Sequence, residues 1–530
     1  MKKIYFFLTA GLFLIFSFFD GIQAQNVGVG TSTPASKLSV EGGLSIGASY
    51  ADTYASPVNG AIIQGNLGVG LPFPLARLHV ADSSVLFSGV FTGMGNIPVD
   101  GAGTRLMWVP GKAAFRVGQV SGNQWDGGFI GDHSFAWGLD NIAADIMTTA
   151  FGLENIASGG ISTAWGHDNV AFGGLSTVFG IGNQAYGLHS TAWGLGNEID
   201  GMNSTGWGQN NEAKGEGSTV WGKNNVSDEF AEFATSWGIG NLNSGLASTV
   251  WGEDNIVTGI YSTAWGSDNS VVGDHGTAWG LGSSVDGGGA TAWGQSTANG
   301  LFSTAWGESA ATGLFSTSWG NSSAFGEYAT SWGGEGAFAV GDYSTAWGTN
   351  NLAEMNHATA WGTENKAEEE YATVWGKNNT IEGIYGTAWG NVNEVSGERG
   401  TAWGYQTEAS GINATTWGDN TLASDSNSTA FGKNTFAIGT QSTSWGLNNF
   451  AYGTISSVWG YENVAYGGLS TVWGLFNEAW GSNGTVWGLG NEIDGTNSTG
   501  WGENNISLAE GGTVWGKLNT VTADSEYSTA

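Results

Sequence analysis

The 530-residue sequence has no cysteine, 6 prolines, 6 histidines and only 14 lysines and arginines against 46 aspartates and glutamates, for a formal net charge of −32. Without cysteine there is no disulfide scaffold, thiolate metal site or thiol nucleophile. The shortage of cations opposes attraction to DNA, RNA or anionic lipid, so no nucleic-acid partner is expected, and the acidic excess reads as solubility. The histidines, His133, His167 and His357 among them, are dispersed without metal-ligand spacing, and no metal or cofactor is expected. Glycine is abundant, 92 residues, yet no Gly-X-Y period exists, which excludes collagen. Beyond the N-terminus no apolar run is long enough to cross a bilayer as a helix.

Residues 1–24 combine Lys2-Lys3, an apolar run from Ile4 to Phe19 and a small residue, Ala24, before Gln25. This is the pattern of a secretory signal peptide cleaved between Ala24 and Gln25. The mature chain is therefore expected outside the cytoplasm, held together by packing alone.

From Phe135 onward the chain repeats one phrase, Thr-small-Trp-Gly, as in Thr163-Ala164-Trp165-Gly166 and Thr191-Ala192-Trp193-Gly194. There are 28 copies; of the 27 steps between them, 22 are 14 residues, three are 13, one is 15 and one is 16. A repeat this short cannot bury a core alone and must stack on its neighbours as a solenoid. The residue after Thr is always small, as at Ala150, Val178, Gly206, Ser236 and Thr416. Strand alternation places it on one face and the flanking Thr and Trp on the other. Ala164, Ala192, Ala264 and Ala278 are thus expected to line a narrow roll interior, facing the small residues of a second strand, such as Ala157, Ala171 and Ala185. Gly166 and its equivalents make one bend. The series Asn141, Asn155, Asn169, Asn183 makes the other, as turn residues able to form a hydrogen-bonded ladder. Each coil then has two short strands and two turns, and at about 4.8 Å per coil the array forms a rod on the order of 130 Å long.

Of the 28 coils, 25 carry Trp and the others Phe151, Phe179 and Phe431. An exposed ladder of such rings aggregates unless it is covered, since burying one aromatic removes roughly 150–250 Å² from water. Self-association through Thr163, Trp165, Thr191, Trp193, Thr263, Trp265, Trp279 and Trp293 is the expected cover, with a ligand on the same stripe as the alternative.

Residues 25–130 differ. Asn26-Val-Gly28-Val-Gly30…Pro34…Leu38…Val40 recurs forty residues later as Asn66-Leu-Gly68-Val-Gly70…Pro74…Leu78…Val80, a pattern of short strands and turns. The stretch Gly101–Gly118, which contains Trp108 and is followed by Trp125, is expected to cap the array, whose first strand needs its edge covered.

The coil Tyr261-Ser262-Thr263-Ala264-Trp265-Gly266, with its 14-residue spacing, resembles the head repeat of YadA-like trimeric autotransporter adhesins. The resemblance covers residues 131–530 and implies a left-handed parallel β-roll, three copies of which pack about a common axis. Thr263 and Trp265 stand where that family has Val and Ile facing the trimer core. The units at Asn26–Val40 and Asn66–Val80 look like the N-terminal parts of secreted, tail-fibre-like proteins of Gram-negative bacteria, which implies secretion or a cell-surface, outer-membrane location. Tyr527-Ser528-Thr529-Ala530 stops where the next Trp-Gly is due, so an anchor or cap is expected beyond it.

Signals for chemistry are weak. Gly43-Leu44-Ser45-Ile46-Gly47 fits a nucleophile-elbow string without the strand–helix context it needs. Asp168-Asn169, Asp254-Asn255 and Asp268-Asn269 lack the pattern of calcium rolls. Phe172 and Tyr186 in adjacent coils, and Tyr452, Tyr466 and Trp480 in three successive coils, place aromatics in register where they could meet sugar rings. A block at Leu195–Gly201 recurs at Leu489–Gly495, each followed by Asn-Ser-Thr-Gly-Trp-Gly, which suits duplication of coils and adjustable length. The sequence therefore points to an all-β, non-enzymatic, homotrimeric rod with an adhesin-like role toward surface glycans or proteins. A carbohydrate-binding rod is the alternative, and ice or mineral binding through the Thr row a weaker one.

Overall fold

The structure, a computed structural model, describes residues 26–530; the signal segment with Ala24 and Gln25 lies outside the described residues. The chain is all-β, with 2% helix, and forms a parallel β-solenoid of about 35 turns where the phrase count gave 28. Parallel pairing is not confined to the phrase array: three separate two-stranded parallel sheets lie in the N-terminal segments. Among the described residues no helix is long and apolar enough to cross a membrane.

The chain divides into two units, one ending at Gly89 and one running from Val90 to Ala530. In the first, strand β1 (Val27–Val29) pairs in parallel with β2 (Leu38–Val40), and β3 (Leu44–Ile46) leads through helix α1 (Ala48–Thr53) to its parallel partner β4 (Ala61–Ile63). The second copy of the 40-residue unit repeats the first: β5 (Leu67–Val69) pairs with β6 (Leu78–Val80). The side chains of Asn26 and Asn66 each donate 2.9 Å hydrogen bonds to the carbonyls of Pro34 and Pro74. The shared Asn and Pro are the clasp that closes each loop.

The second unit begins ahead of the array because its cap belongs to it. Strand β7 (Gly103–Val109) forms an antiparallel hairpin with β8 (Ala114–Val120), and β8 pairs in parallel with the first phrase strand, β9 (Phe135–Leu139). In that register Arg116 lies beside Ala136, in the interior column. It is fully buried, and its guanidinium donates to the carbonyls of Phe115, Ser134 and Ala143 and to the Ser134 hydroxyl at 2.8–3.2 Å. Burial with no carboxylate beside it pushes the Arg116 pKa down to about 10. Trp125, also fully buried, donates its indole N–H to the Asn141 carbonyl at 2.9 Å. Two large side chains thus plug an interior that everywhere else is filled by small ones.

The coil starting at Thr163 shows the plan. A five-residue strand, Thr163–His167, turns at Asp168 into the two-residue strand Val170–Ala171, and a second corner at Leu175 leads to the next coil. Successive long strands pair in parallel with Thr on Thr and Trp or Phe on Trp, so one period is one layer and like residues form columns. Ala164, Asn169, Ala171, Gly173 and Ser176 are the inward residues of this coil, and all are buried. From Ala136 onward nothing bulkier than Ile enters these columns, and each buried Ile there is matched by a missing side chain. A Cβ placed on Gly206 would collide with Ile199, one on Gly500 with Ile493, and one on Gly386 with Ile381. The recurring block with its following Gly-Trp-Gly is therefore a volume exchange between successive coils: Ile199 with Gly206, where one period earlier the pair is Ala185 with Ala192.

The asparagine series differs from the sequence expectation in one respect. The left-handed corner residue is the one before each Asn: Asp140, Glu154 and Asp168 have φ of 56–57°, and glycines occupy this place at Gly182 and Gly196. The Asn itself points inward and is buried. Asn155 Nδ2 donates to Asn141 Oδ1 of the preceding coil at 3.0 Å, to the Phe151 carbonyl of its own coil at 3.0 Å and to the Gly166 carbonyl of the next at 2.7 Å. One amide thus satisfies carbonyls that a sharp corner leaves without strand partners. Three successive coils, those with Trp293, Trp306 and Trp319, lose one residue at this corner and carry Ser296, Ser309 and Ser322 in place of Asn. The 15-residue step adds one residue at the same corner, where the register shifts between Gly320 and Ser322, and the 16-residue step adds two at the other, so the columns on either side of each corner stay aligned.

Candidate functional site

The outward face of the long strands is the largest feature of the solenoid. Trp165, Trp193, Trp265, Trp279 and Trp293 expose between 36 and 50% of their surface, with Thr163, Thr191 and Thr263 beside them, while Ala164, Ala192, Ala264 and Ala278 point inward and are fully buried. From Trp193 to Trp417 the indoles form one unbroken stack, with centroids 4.2–5.1 Å apart and planes within 1–10° of parallel. Phe151, Phe179 and Phe431 meet their Trp neighbours edge-on at 70–81°. Inside the stack each ring uses both faces on its neighbours, at about 0.5–1.5 kcal/mol per pair beyond burial. What reaches solvent is a stripe of indole edges.

The short strands carry the second outward face. Phe172 and Tyr186 lie 6.1 Å apart at 50°, Tyr452 stacks on Tyr466 at 5.0 Å, and Tyr466 on Trp480 at 3.8 Å. All five are exposed, and the Trp480 indole donates to the Glu478 carboxylate at 2.9 Å. Carboxylates share this face. Burial, reinforced by Glu408 and Glu382, holds Glu394 above its ordinary value; burial and nearby acids do the same for Glu492 and Asp494. Asp200 is raised by burial as well, with Lys214 opposing.

A third ladder has no counterpart in the sequence reading. Phe302, Phe315, Tyr328, Tyr343, His357, Tyr371 and Tyr385 occupy the second corner in successive coils, all left-handed with φ of 53–59°. Their rings stack at 4.7–5.2 Å, and the Arg399 guanidinium closes the end 5.9 Å from the Tyr385 ring. The signal was an aromatic two residues before the phrase Thr, as in Tyr343-Ser344-Thr345. Without the corner geometry these rings look like scattered surface residues.

Ser45 lies in the three-residue strand β3, and its hydroxyl donates to the Tyr54 carbonyl at 3.3 Å. Asp168, Asp254 and Asp268 are left-handed corner residues, and among the described residues no three histidines or acids come together as a metal site. No family model matches the chain, and no curated protein matches it.

Proposed function

We propose that the chain is a secreted or cell-surface, non-enzymatic structural rod with an adhesin-like role, assembling as a homotrimer through its Thr/Trp stripe. The observation that carries this is the stripe itself: a half-exposed aromatic edge repeated in every coil, far longer than the apolar patches soluble monomers leave open. Covering it at roughly 25 cal/mol per Å² of apolar surface gives association a driving force that grows with each coil. A cyclic assembly closes the surface and leaves no free stripe to propagate. The resemblance of the repeat to YadA-like head repeats supports three copies about one axis. Glycans or proteins on other surfaces are then met by the outward faces that remain. Sugar stacking on the ladders themselves has less support, because the rings cover one another's faces; binding of ice or mineral to the Thr row has less still, because a Trp or Phe ring stands beside every Thr.

Sedimentation equilibrium of the chain from Gln25 onward tests the proposal. A mass three times that of the chain is expected, and a monodisperse monomer refutes the assembly.

A further inference from the structure

We propose that a groove along residues 420–464 binds a neutral polysaccharide chain. This goes beyond the reading above and does not rest on the assembly, since the groove lies away from the Trp stripe. Its volume is about 520 Å³, and it is lined by Asn420, Asn434, Asn448 and Glu462 on one side and Phe436, Phe450 and Val464 on the other.

The amide wall comes from the first corner. Asn420, Asn434 and Asn448 all have left-handed backbone, φ 52–56°, and this is the one run of three asparagines at that corner among the described residues. Asn420 Nδ2 donates to Asn434 Oδ1 at 2.9 Å, Asn434 Nδ2 to Asn448 Oδ1 at 2.9 Å, and Asn448 Nδ2 to Glu462 Oε1 at 3.4 Å. The ladder fixes the amides and leaves Asn434 and Asn448 each with one N–H and one oxygen lone pair outside it. A donor and an acceptor thus recur at every coil, about 4.8 Å apart.

The opposite wall is apolar. Phe436 and Phe450 stack on each other at 4.9 Å, so they offer ring edges, continued by Val464. The other exposed Asn pairs hydrogen-bonded across coils, Asn413 with Asn427 and Asn483 with Asn497, lie at the second corner and do not border this groove.

An extended sugar chain has the matching two sides: hydroxyls that both donate and accept, and C–H surfaces that prefer an apolar wall. The step of the coils is comparable to the length of one sugar unit. The ligand is neutral, because Glu462 closes one end of the amide wall and a net charge of −32 repels acidic polymers.

Affinity electrophoresis of the full chain in native gels cast with hydroxyethyl cellulose, arabinoxylan or dextran tests this, with carboxymethyl cellulose as the anionic comparison. Retardation is expected in at least one neutral gel and not in the anionic one. Asn434→Gly/Asn448→Gly should weaken it at least tenfold, and Phe450→Val, which copies Val464, should weaken it severalfold. Glycine already stands at this corner in other coils, as at Gly182 and Gly196, so the double variant keeps the backbone. Asn350→Gly, at the same corner beside Leu352, should bind as wild type. Lack of retardation in every neutral gel, equal retardation in carboxymethyl cellulose, or undiminished binding by the double variant would each overturn the proposal. So would loss on Tyr466→Ala/Trp480→Ala alone, which moves binding to the neighbouring ladder; Tyr452 is left in place because its ring stacks on Phe450 at 6.0 Å. Sedimentation reads none of these outcomes, so the two proposals fail separately.

Discussion

The volume exchange between Ile199 and Gly206 gives a test in which the sign of an interaction is set by packing. Ile199 is fully buried, and a methyl added at Gly206 would collide with its Cδ1. Gly206→Ala alone should therefore overpack the coil and cost about 1–3 kcal/mol. Ile199→Ala alone removes three carbons from a rigid interior and should cost about 2–5 kcal/mol, toward the upper end because the strands on either side are fixed by the register of every other coil. The double variant recreates the Ala185/Ala192 arrangement found one period earlier, where both alanines are fully buried. It removes the clash and fills part of the cavity, so it should be more stable than the sum of the singles by about 1–3 kcal/mol. Solenoids unfold as coupled repeats, not as one two-state unit, so the readout is amide exchange of the strands at Thr191–Leu195 and Thr205–Gln209 alongside the thermal transition. Additivity within about 0.5 kcal/mol, or a neutral Gly206→Ala, would refute the packing argument.

Ala278→Leu should cost roughly 1–3 kcal/mol or more, while Glu198→Gln on the outer short strand should stay within about 0.5 kcal/mol of wild type; equal melting temperatures for Ala278→Leu and wild type would mean that the strand faces are reversed. Stability should also rise on mild acidification. Asp200, Glu394, Glu492 and Asp494 have raised values, chiefly through burial, so between the ordinary and the raised value the folded chain binds more protons than the unfolded one, and stability grows as pH falls. Asp425, lowered by hydrogen bonds from Thr440 and Ser426, acts the other way, and only as pH falls below its ordinary value. A melting temperature that drops steadily as pH falls from neutral toward the ordinary carboxylate values would count against the four raised acids governing stability there.

The coil was legible because its period is a packing constraint: a residue that recurs every 14 positions must form a column, and strand alternation sorts the columns into inside and outside. That logic reaches Ala164 and Trp165 directly. It misplaced the bend at Asn169, because propensity marks Asn as a turn residue and cannot tell a left-handed backbone at Asp168 from a buried amide one residue later. The position of Arg116 was beyond it as well. A single Arg outside the array carries no periodic signal, and its place in the interior column follows only from the register of β8 on β9. The aromatic stripe was read correctly as outward, but not its stacking, which removes ring faces from solvent and so changes what the stripe can bind. The amide groove at Asn420–Val464 needed both corners to be resolved before Asn434 and Phe436 could be seen as facing walls.

The corner ladder poses the remaining energetic question: why bulky rings occupy a backbone conformation that favours glycine. A left-handed L-residue costs roughly 1–2 kcal/mol, and an aromatic pair returns about 0.5–1.5 kcal/mol. A ring with neighbours on both sides can thus offset its own strain, whereas an isolated one cannot. Tyr343, at φ 56°, sits between Tyr328 at 5.0 Å and His357 at 5.1 Å. Tyr343→Ala keeps the strain and loses both stacks, so it should cost about 1–3 kcal/mol. Tyr343→Gly loses the same stacks and also the strain, so it should lie about 1–2 kcal/mol above the Ala variant, less the few tenths to 1 kcal/mol by which glycine favours the unfolded chain. The ordering wild type, then Gly, then Ala is the signature of strain held by stacking, read from exchange protection of the strand Thr345–Thr349. Equal destabilisation by Gly and Ala would show that the corner carries no strain to relieve, and a Gly variant more stable than wild type that the stack contributes less than one left-handed residue costs.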